Sequence, residues 1–316
     1  MRAPDFWKRR GMVSACLQPA SWKVTQCARR RQKSARPVPA PVPVICVGNL
    51  TVGGAGKTPV ALAVEARLKA KEISASFLSR GYGGRLKGPV QVKHDQHSVA
   101  DVGDEPLLLA RQAPCIVSAD RPAGANAAVA AGAQAIVMDD GFQNHSLEKS
   151  LSLIVVDGGY GFGNGRVMPA GPLREPVEEG LARADAVVVI GPPDFEIRTD
   201  KPVFRARLQP LRGEDFSGRP VIAFAGIGRP DKFFDTLRSL GADVVAEHAF
   251  PDHHRYRARD FEAILKQAAQ SGDMVVTTEK DAVRLPPSLA EAVVTLPVEL
   301  VWEDSNAIDA LLDRVI

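Results

Sequence analysis

The stretch Val44-Ile-Cys-Val-Gly-Asn-Leu-Thr-Val-Gly-Gly-Ala-Gly-Lys-Thr-Pro59 constrains the fold of this chain more than any other. Its apolar start reads as a buried strand, its glycines as a tight turn, and Gly56-Lys57-Thr58 as the beginning of a helix. That combination is a phosphate-binding loop. Backbone N–H groups can wrap around a polyphosphate only where no Cβ blocks the approach, and the helix N-terminus adds partial positive charge. Thr51, Val52, Gly53, Gly54, Ala55, Gly56, Lys57 and Thr58 are the expected nucleotide contacts. Lys57 would reach the β/γ-phosphates and the Thr58 hydroxyl a Mg²⁺ ion. The strict pattern G-x-x-x-x-G-K-[ST] asks for glycine where this chain has Thr51, so the loop is a variant. An unliganded glycine-rich connection accounts less well for a lysine and a threonine between a strand and a helix.

The rest of the sequence extends this unit into an α/β protein. Val- and Ile-rich segments alternate with Ala-, Leu- and Arg-rich ones, the order that yields a parallel sheet with helices on both faces. Strands are expected over 74–78, 115–118, 135–138, 153–156 and 186–190, with helices over 59–71, 105–112 and 121–131. A chain of 316 residues holds about two domains at roughly 150 residues each. A P-loop nucleotide-binding domain over 37–209 and a smaller α/β domain over 210–316 are expected, the latter with strands over 221–225, 243–247 and 274–277 and helices over 231–239 and 258–269. In that second unit Gly226-Ile-Gly228 resembles half of a dinucleotide fingerprint, but Asp231 stands where its third glycine belongs, which reads against a nicotinamide site.

The net charge of +3 conceals a strong asymmetry. Residues 1–36 carry Arg2, Lys8, Arg9, Arg10, Lys23, Arg29, Arg30, Arg31, Lys33 and Arg36 against the single acid Asp5. With Phe6, Trp7, Met12, Val13, Leu17 and Trp22 interspersed, this head is expected to be a basic, amphipathic, membrane-associating segment drawn to an anionic surface. On a helical wheel Phe6, Val13, Cys16 and Leu17 share one side, and Arg9 and Arg10 fall there too and would have to snorkel. A solvated arm, or one packed on its own domain, is the alternative. The aromatics form no nucleic-acid recognition pattern, so no nucleic-acid partner is expected, and no obligate protein partner is evident. There is no run of about 18 apolar residues to span a bilayer and no signal-peptide pattern. The four cysteines, without C-x-x-C spacing, suit a reducing cytosol. The Pro-rich run from Arg36 to Pro43 separates this head from the nucleotide unit, so deleting 1–36 is expected to weaken membrane association more than ATP binding.

Four further clusters fall at expected strand ends. Met138-Asp139-Asp140-Gly-Phe-Gln-Asn-His145 ends an apolar strand in two acids, and buried paired carboxylates repel unless a cation intervenes, so Asp139 and Asp140 are candidate Mg²⁺ ligands. Asp104, in Asp101-Val-Gly-Asp-Glu-Pro106, is equally placed to cap a helix or to act as a base. The run from Gly163 to Pro176 offers Arg166 and Arg174 to an anionic ligand, and Arg121 lies just past a strand end. Phe250-Pro-Asp-His253-His254-Arg-Tyr256 offers an imidazole, most plausibly one paired with an acid of the first domain rather than a two-histidine metal site.

Taken in order, these motifs resemble the tetraacyldisaccharide 4'-kinase family of Gram-negative bacteria. The resemblance rests on residues 47–59, Ser79-Arg-Gly-Tyr-Gly-Gly84, Gly103-Asp-Glu-Pro106, Asp139-Asp-Gly-Phe-Gln143, the 164–176 loop, Phe250-Pro-Asp-His253 and Thr278-Glu-Lys-Asp-Ala282, and it covers almost the whole chain. It implies transfer of the ATP γ-phosphate to the 4'-hydroxyl of tetraacyldisaccharide 1-phosphate in lipid A biosynthesis. Lys57 and Asp104 would be catalytic, with His253 tuning Asp104 from a smaller domain that closes over the site. Thr58 with Asp139 or Asp140 would hold Mg²⁺, and Tyr82, Glu105, Arg121, Arg174 and Glu175 would contact substrate. The implied location is peripheral, at the cytoplasmic face of the inner membrane. The rival readings are a P-loop switch ATPase that cycles on a membrane or partner, and a lipid-binding protein with a vestigial loop.

Overall fold

The structure is a computed structural model that describes residues 4–8, 11–193, 195–211 and 213–316, without the side chains of Asp5 and Glu214. Two compact units emerge: residues 3–208 joined by 300–316, and residues 209–299. The division falls near residue 209, and the last 17 residues, 300–316, which the sequence reading assigns to the smaller domain, belong to the larger unit.

The larger unit is built on a nine-stranded sheet. Its strands are β1 (Val44–Gly48), β2 (Ala75–Ser79), β3 (Val90–Gln91), β4 (Cys115–Val117), β5 (Ala135–Asp139), β6 (Leu151–Asp157), β7 (Ala186–Ile190), β8 (Val203–Pro210) and, from the end of the chain, β13 (Val298–Trp302). Their spatial order is β13-β8-β7-β6-β1-β5-β2-β4-β3. From β8 to β4 every pairing is parallel, and β3 adds antiparallel to β4. Every residue of β1, β2, β5, β6 and β7 is buried, as strands covered on both faces require. Parallel alignment puts all their carboxyl ends at one edge: Val47 lies opposite Asp139 on one side and Leu153 on the other. The loops leaving β1, β2, β4 and β5 therefore gather along that edge, where open parallel sheets bind ligands.

Helices α1 (Met12–Cys16) and α2 (Gln18–Ser34) precede the sheet; α3 (Lys57–Ala70), α4 (Val99–Val102), α5 (Asp104–Leu109), α6 (Arg121–Ala130) and α7 (Val177–Ala182) connect its strands. The head is two helices joined at Leu17, not one, so a single helical wheel does not describe it. It buries Ser14, Ser21 and Thr25 while Met12, Val13 and Trp22 are 83%, 55% and 64% exposed. Arg2, Arg9 and Arg10 lie outside the described residues.

The smaller unit has a parallel sheet ordered β10-β9-β11-β12, comprising β9 (Pro220–Ala225), β10 (Asp243–Ala249), β11 (Met274–Thr278) and β12 (Val294–Leu296). Helices α8 (Pro230–Ser239), α9 (Glu262–Ser271), α10 (Glu279–Ala282) and α11 (Pro287–Ala290) accompany it. The helix expected over 258–269 divides into a 3₁₀ turn, Ala258–Asp260, and α9. The chain then passes through β13 to α12 (Ser305–Leu312), capped by Asp304. This last helix buries Ile308 and Leu312 and pairs Asp309 with Arg67 of α3, which anchors the C-terminal segment to the larger unit.

The smaller unit is organised around the fully buried Asp281. One of its carboxylate oxygens accepts from Gly226 N at 2.9 Å, Tyr256 Oη at 2.7 Å and the Arg284 guanidinium at 2.5 Å; the other accepts from Thr278 Oγ1 at 2.6 Å. A buried carboxylate so engaged repays its desolvation, whereas Asp281→Ala would break its buried ion pair with Arg284 and leave the donors of Gly226, Tyr256 and Thr278 without this acceptor. Asp281→Ala is expected to destabilise this unit by about 3–5 kcal/mol. Urea unfolding followed by a probe within residues 209–299 measures the loss.

Candidate active site

At the carboxyl edge of β1 the chain turns sharply because it must. A Cβ on Gly48 would lie 2.4 Å from the Cβ of Phe142, so only glycine lets the strand end pass this side chain. Gly56, the residue before α3, has φ +88°, and a Cβ there would meet Ile190 Cδ1 at 2.4 Å. Thr51 is not among the residues with positive φ and forms an antiparallel bridge with Leu173. Extended backbone at this position has no need of glycine, which explains the departure from the strict motif.

The turn places Lys57 and Thr58 in the first turn of α3, both buried, beside the end of β5. Thr58 Oγ1 donates to Asp139 Oδ2 at 3.1 Å, and Lys57 Nζ lies 3.8 Å from Asp140 Oδ1. Arg174 completes the pairing of Asp140 with two hydrogen bonds, NH1 to Oδ1 at 2.8 Å and NH2 to Oδ2 at 3.1 Å. Burial opposes the charge of Asp140, but Lys57 and Arg174 together outweigh it and hold the carboxyl below its ordinary range. The two acids therefore titrate apart. Burial, followed by the charge of Glu105, pushes Asp139 up to about 7. Its Oδ1 is buried without a hydrogen-bond partner.

Other expected residues converge on the same edge. Gln143, whose role the sequence leaves unassigned although it closes the Asp139 motif, accepts from Arg174 and donates to Asn49 O at 2.9 Å and Glu175 Oε1 at 3.0 Å. Glu175 is paired in turn with Arg183, whose guanidinium lies 4.8 Å from the ring centroid of Phe142. Arg183 escapes sequence reasoning because it follows a short helix whose pattern gives no sign that it turns inward. Arg121 begins α6 almost fully buried, donates to Ser118 O, and keeps Nε without a hydrogen-bond partner. Burial and then the positive charge of Arg80 lower its pKa to about 10.

Asp104 is the first residue of α5, buried, and accepts the Glu105 N–H at 3.0 Å. The neighbouring turn is close-packed: a Cβ on Gly103 would stand 2.4 Å from Tyr82 O, while the Tyr82 residue itself is 68% exposed. Arg166 does not accompany Arg174 but donates to Ser14 Oγ in the head. In the smaller unit, His254 is held by Asp260, 3.1 Å from Nε2, and stacks on Phe250. His253 has a left-handed backbone, φ 57°, that presents it apart from its neighbour, and its Nε2 lies 3.9 Å from Asp252 Oδ1.

Chemically, this edge combines a glycine-lined loop, a buried lysine, a threonine hydroxyl and a carboxylate oxygen lacking a partner. No cluster of three or more His, Cys, Asp or Glu suited to a metal occurs among the described residues. The pair Thr58 and Asp139 nevertheless suits Mg²⁺, which takes one or two protein ligands and leaves its other positions to phosphate and water. Among the described residues no helix is long and apolar enough to cross a membrane.

Comparison with known proteins agrees along the length of the chain. The family profile of tetraacyldisaccharide-1-P 4'-kinases (LpxK) matches residues 13–316. A tetraacyldisaccharide 4'-kinase of Rhodospirillum centenum is 53% identical over 326 aligned positions, covering 99% of this chain and 96% of the relative. That of Paramagnetospirillum magneticum is 51% identical, covering 100% and 99%. A crystal structure of LpxK from Aquifex aeolicus in complex with ATP superposes with a TM-score of 0.80 at 30% identity, covering 96% of this chain and 99% of that one. The shared fold and the matched motifs make this chain a member of the tetraacyldisaccharide-1-P 4'-kinase family.

Proposed function

We propose that this chain transfers the γ-phosphate of ATP to the 4'-hydroxyl of tetraacyldisaccharide 1-phosphate in lipid A biosynthesis. The phosphoryl-transfer part rests on one observation above all: Lys57 and Thr58 are buried against Asp140 and Asp139 at the mouth of a glycine-lined loop. The acceptor is read from the family to which the chain belongs.

In this reading Gly53, Gly54 and Gly56 of the loop offer backbone N–H groups to the triphosphate, and Lys57 neutralises charge that moves onto the leaving oxygen. Thr58 and Asp139 would hold Mg²⁺, with Asp140 kept in place by Arg174. An ion held there would supply positive charge against the phosphates. Asp104 orients the sugar hydroxyl and takes its proton as the new O–P bond forms and the bond to the β-phosphate breaks, releasing ADP. Tyr82, Glu105, Arg121, Arg174 and Glu175 position the acceptor. Phosphoryl transfer of this kind depends mainly on alignment and neutralised charge.

The acceptor's acyl chains remain in the bilayer, which calls for an enzyme that works at the membrane surface. We place it at the cytoplasmic face of a Gram-negative inner membrane, held by the exposed Met12, Val13 and Trp22 and by Arg30, Arg31 and Lys33 of the head.

Three outcomes are expected. Incubated with γ-labelled ATP, Mg²⁺ and tetraacyldisaccharide 1-phosphate in micelles, the protein labels the lipid, and Lys57→Ala and Asp104→Ala each lower the rate by roughly 10²-fold or more. Hydrolysis without lipid labelling would favour the switch ATPase instead. A Met12→Ser/Trp22→Ser variant partitions onto anionic phosphatidylglycerol vesicles roughly tenfold more weakly than wild type in a sedimentation assay. Finally, the raised pKa of Asp139 gives a signed pH dependence. A carboxyl at about 7 in the fold against an ordinary 3.8 binds more protons folded than unfolded, so its burial costs more as pH rises between those values. In EDTA, thermal melts should therefore show Asp139→Asn gaining stability over wild type from pH 5 to pH 8, and Mg²⁺ with ATP should reverse the order.

A further inference from the structure

The head and the phosphate loop are joined through one short segment. Ser21 Oγ of α2 donates to Val167 O at 2.7 Å and accepts from Ala170 N at 3.1 Å, both in buried surroundings. Trp7 Nε1 donates to Pro169 O at 3.1 Å, and Asn164 N donates to Trp7 O at 2.7 Å. Five residues beyond Val167 the same segment turns to the other side. Pro172 O accepts from Val52 N at 2.8 Å, Leu173 bridges Thr51, and Arg174 N donates to Leu50 O at 2.7 Å. Between these two sets of bonds the segment is closed on itself by Met168 N to Leu173 O at 2.8 Å and Leu173 N to Arg166 O at 3.0 Å. A displacement on the helix side therefore has little slack in which to be absorbed before it reaches residues 50–52.

We infer that Ser21 is a positioning residue for nucleotide binding: through it the N-terminal helix braces the 166–174 segment, and that segment holds the phosphate loop in its receptive shape. The argument is one of preorganisation. The residues from Thr51 to Gly56 include three glycines, which lose the most conformational freedom on ordering. Their side of the loop has few side chains to pack, so the backbone bonds from Val52 and Leu50 to the segment supply much of its order. A loop ordered before ATP arrives loses less entropy on binding and binds more tightly. The sequence suggests a head separable from the nucleotide unit by its Pro-rich linker; the hydrogen bonds join the two around that linker.

The test uses the full chain with Ser21→Ala, Ser21→Thr, Trp7→Phe and, as an exposed hydroxyl control in the same helix, Ser34→Ala. Calorimetric titration with Mg²⁺–ATP should show Ser21→Ala raising Kd about fivefold, roughly 1 kcal/mol at 1.4 kcal/mol per decade, with Trp7→Phe moving in the same direction. Ser21→Thr, which keeps the hydroxyl, and Ser34→Ala should stay near wild type. Amide exchange over residues 50–56 should quicken in Ser21→Ala. The kinetic arm rests on the kinase reading: KM for ATP rises while kcat at saturating ATP stays within about twofold. A Ser21→Ala protein that melts like wild type yet binds ATP and exchanges amides like wild type overturns the inference. If Ser21→Ala does not fold, unchanged affinity in Trp7→Phe overturns it instead. Should no form of the protein label lipid, the kinase reading fails, and the binding and exchange measurements still decide the brace.

Discussion

Two adjacent carboxylates at the end of a buried strand set the terms for everything around them. Asp139 closes β5 inside the sheet, and Asp140 follows it with φ 51°, a conformation that turns the second side chain away from the first. Like charges this close in a medium of low polarity do not coexist without neighbouring cations or a proton. The fold pairs its cations more closely with one of them: among the described residues Lys57 and Arg174 form ion pairs with Asp140, while Asp139 accepts from the Thr58 hydroxyl and feels Lys57 at longer range. The result is a site with one settled negative charge and one that responds to what binds. A divalent ion and a polyphosphate arriving together would resolve both the unpartnered Asp139 Oδ1 and the buried lysine.

The pairing also explains why so much of the sheet edge is polar yet buried. Arg174 reaches Asp140 only because its own backbone is pinned to Leu50, and Gln143 steadies the guanidinium while bonding Asn49 O. Glu175, next in the chain, passes the network to Arg183. Each member is held by groups from a different loop, so the position of any one depends on several. Such networks are rigid when every member is satisfied. Of the six buried side-chain polar atoms without partners among the described residues, three, Asp139 Oδ1, Arg121 Nε and Asn49 Oδ1, belong to this edge, and His248 Nε2, Asp252 Oδ1 and Trp302 Nε1 lie elsewhere. The three at the edge leave polar capacity where a charged ligand would use it.

Much of this was legible in the residues themselves. β1, β5 and β7 are continuous apolar runs because parallel strands are covered on both faces, and the glycines of the phosphate loop mark the turn that follows β1. What escaped has physical reasons. β8, Val-Phe-Arg-Ala-Arg-Leu-Gln-Pro, lies near the sheet margin with mostly exposed side chains, so no apolar run announces it. The helix α12 belongs to the larger unit because of Arg67 and Asp309, a pairing across 242 residues that no local pattern encodes. Thr51 marks the loop as a variant of the glycine motif, and it takes the bridge to Leu173 to show that the backbone there is extended.

The head inverts the usual logic of a surface helix. A helix docked on a soluble domain ordinarily buries its apolar stripe and shows its polar one to water. Here the buried positions are Ser14, Ser21 and Thr25, and the large apolar side chains Met12, Val13 and Trp22 face outward. Leaving such groups in water forgoes burial worth about 1.5–3 kcal/mol for a fully covered aliphatic side chain, so the arrangement needs a compensating reason. Part of it lies in the docking surface: the 164–174 segment offers backbone carbonyls and N–H groups rather than a greasy groove, and hydroxyls answer those better than methyl groups. The remainder is what the outward face can do. In the proposed membrane-bound reading, the exposed Met12, Val13 and Trp22 would meet acyl chains and the exposed Arg30, Arg31 and Lys33 anionic headgroups. The docking bonds of Ser21 use other residues of the head, so attachment to the protein and affinity for lipid would not compete.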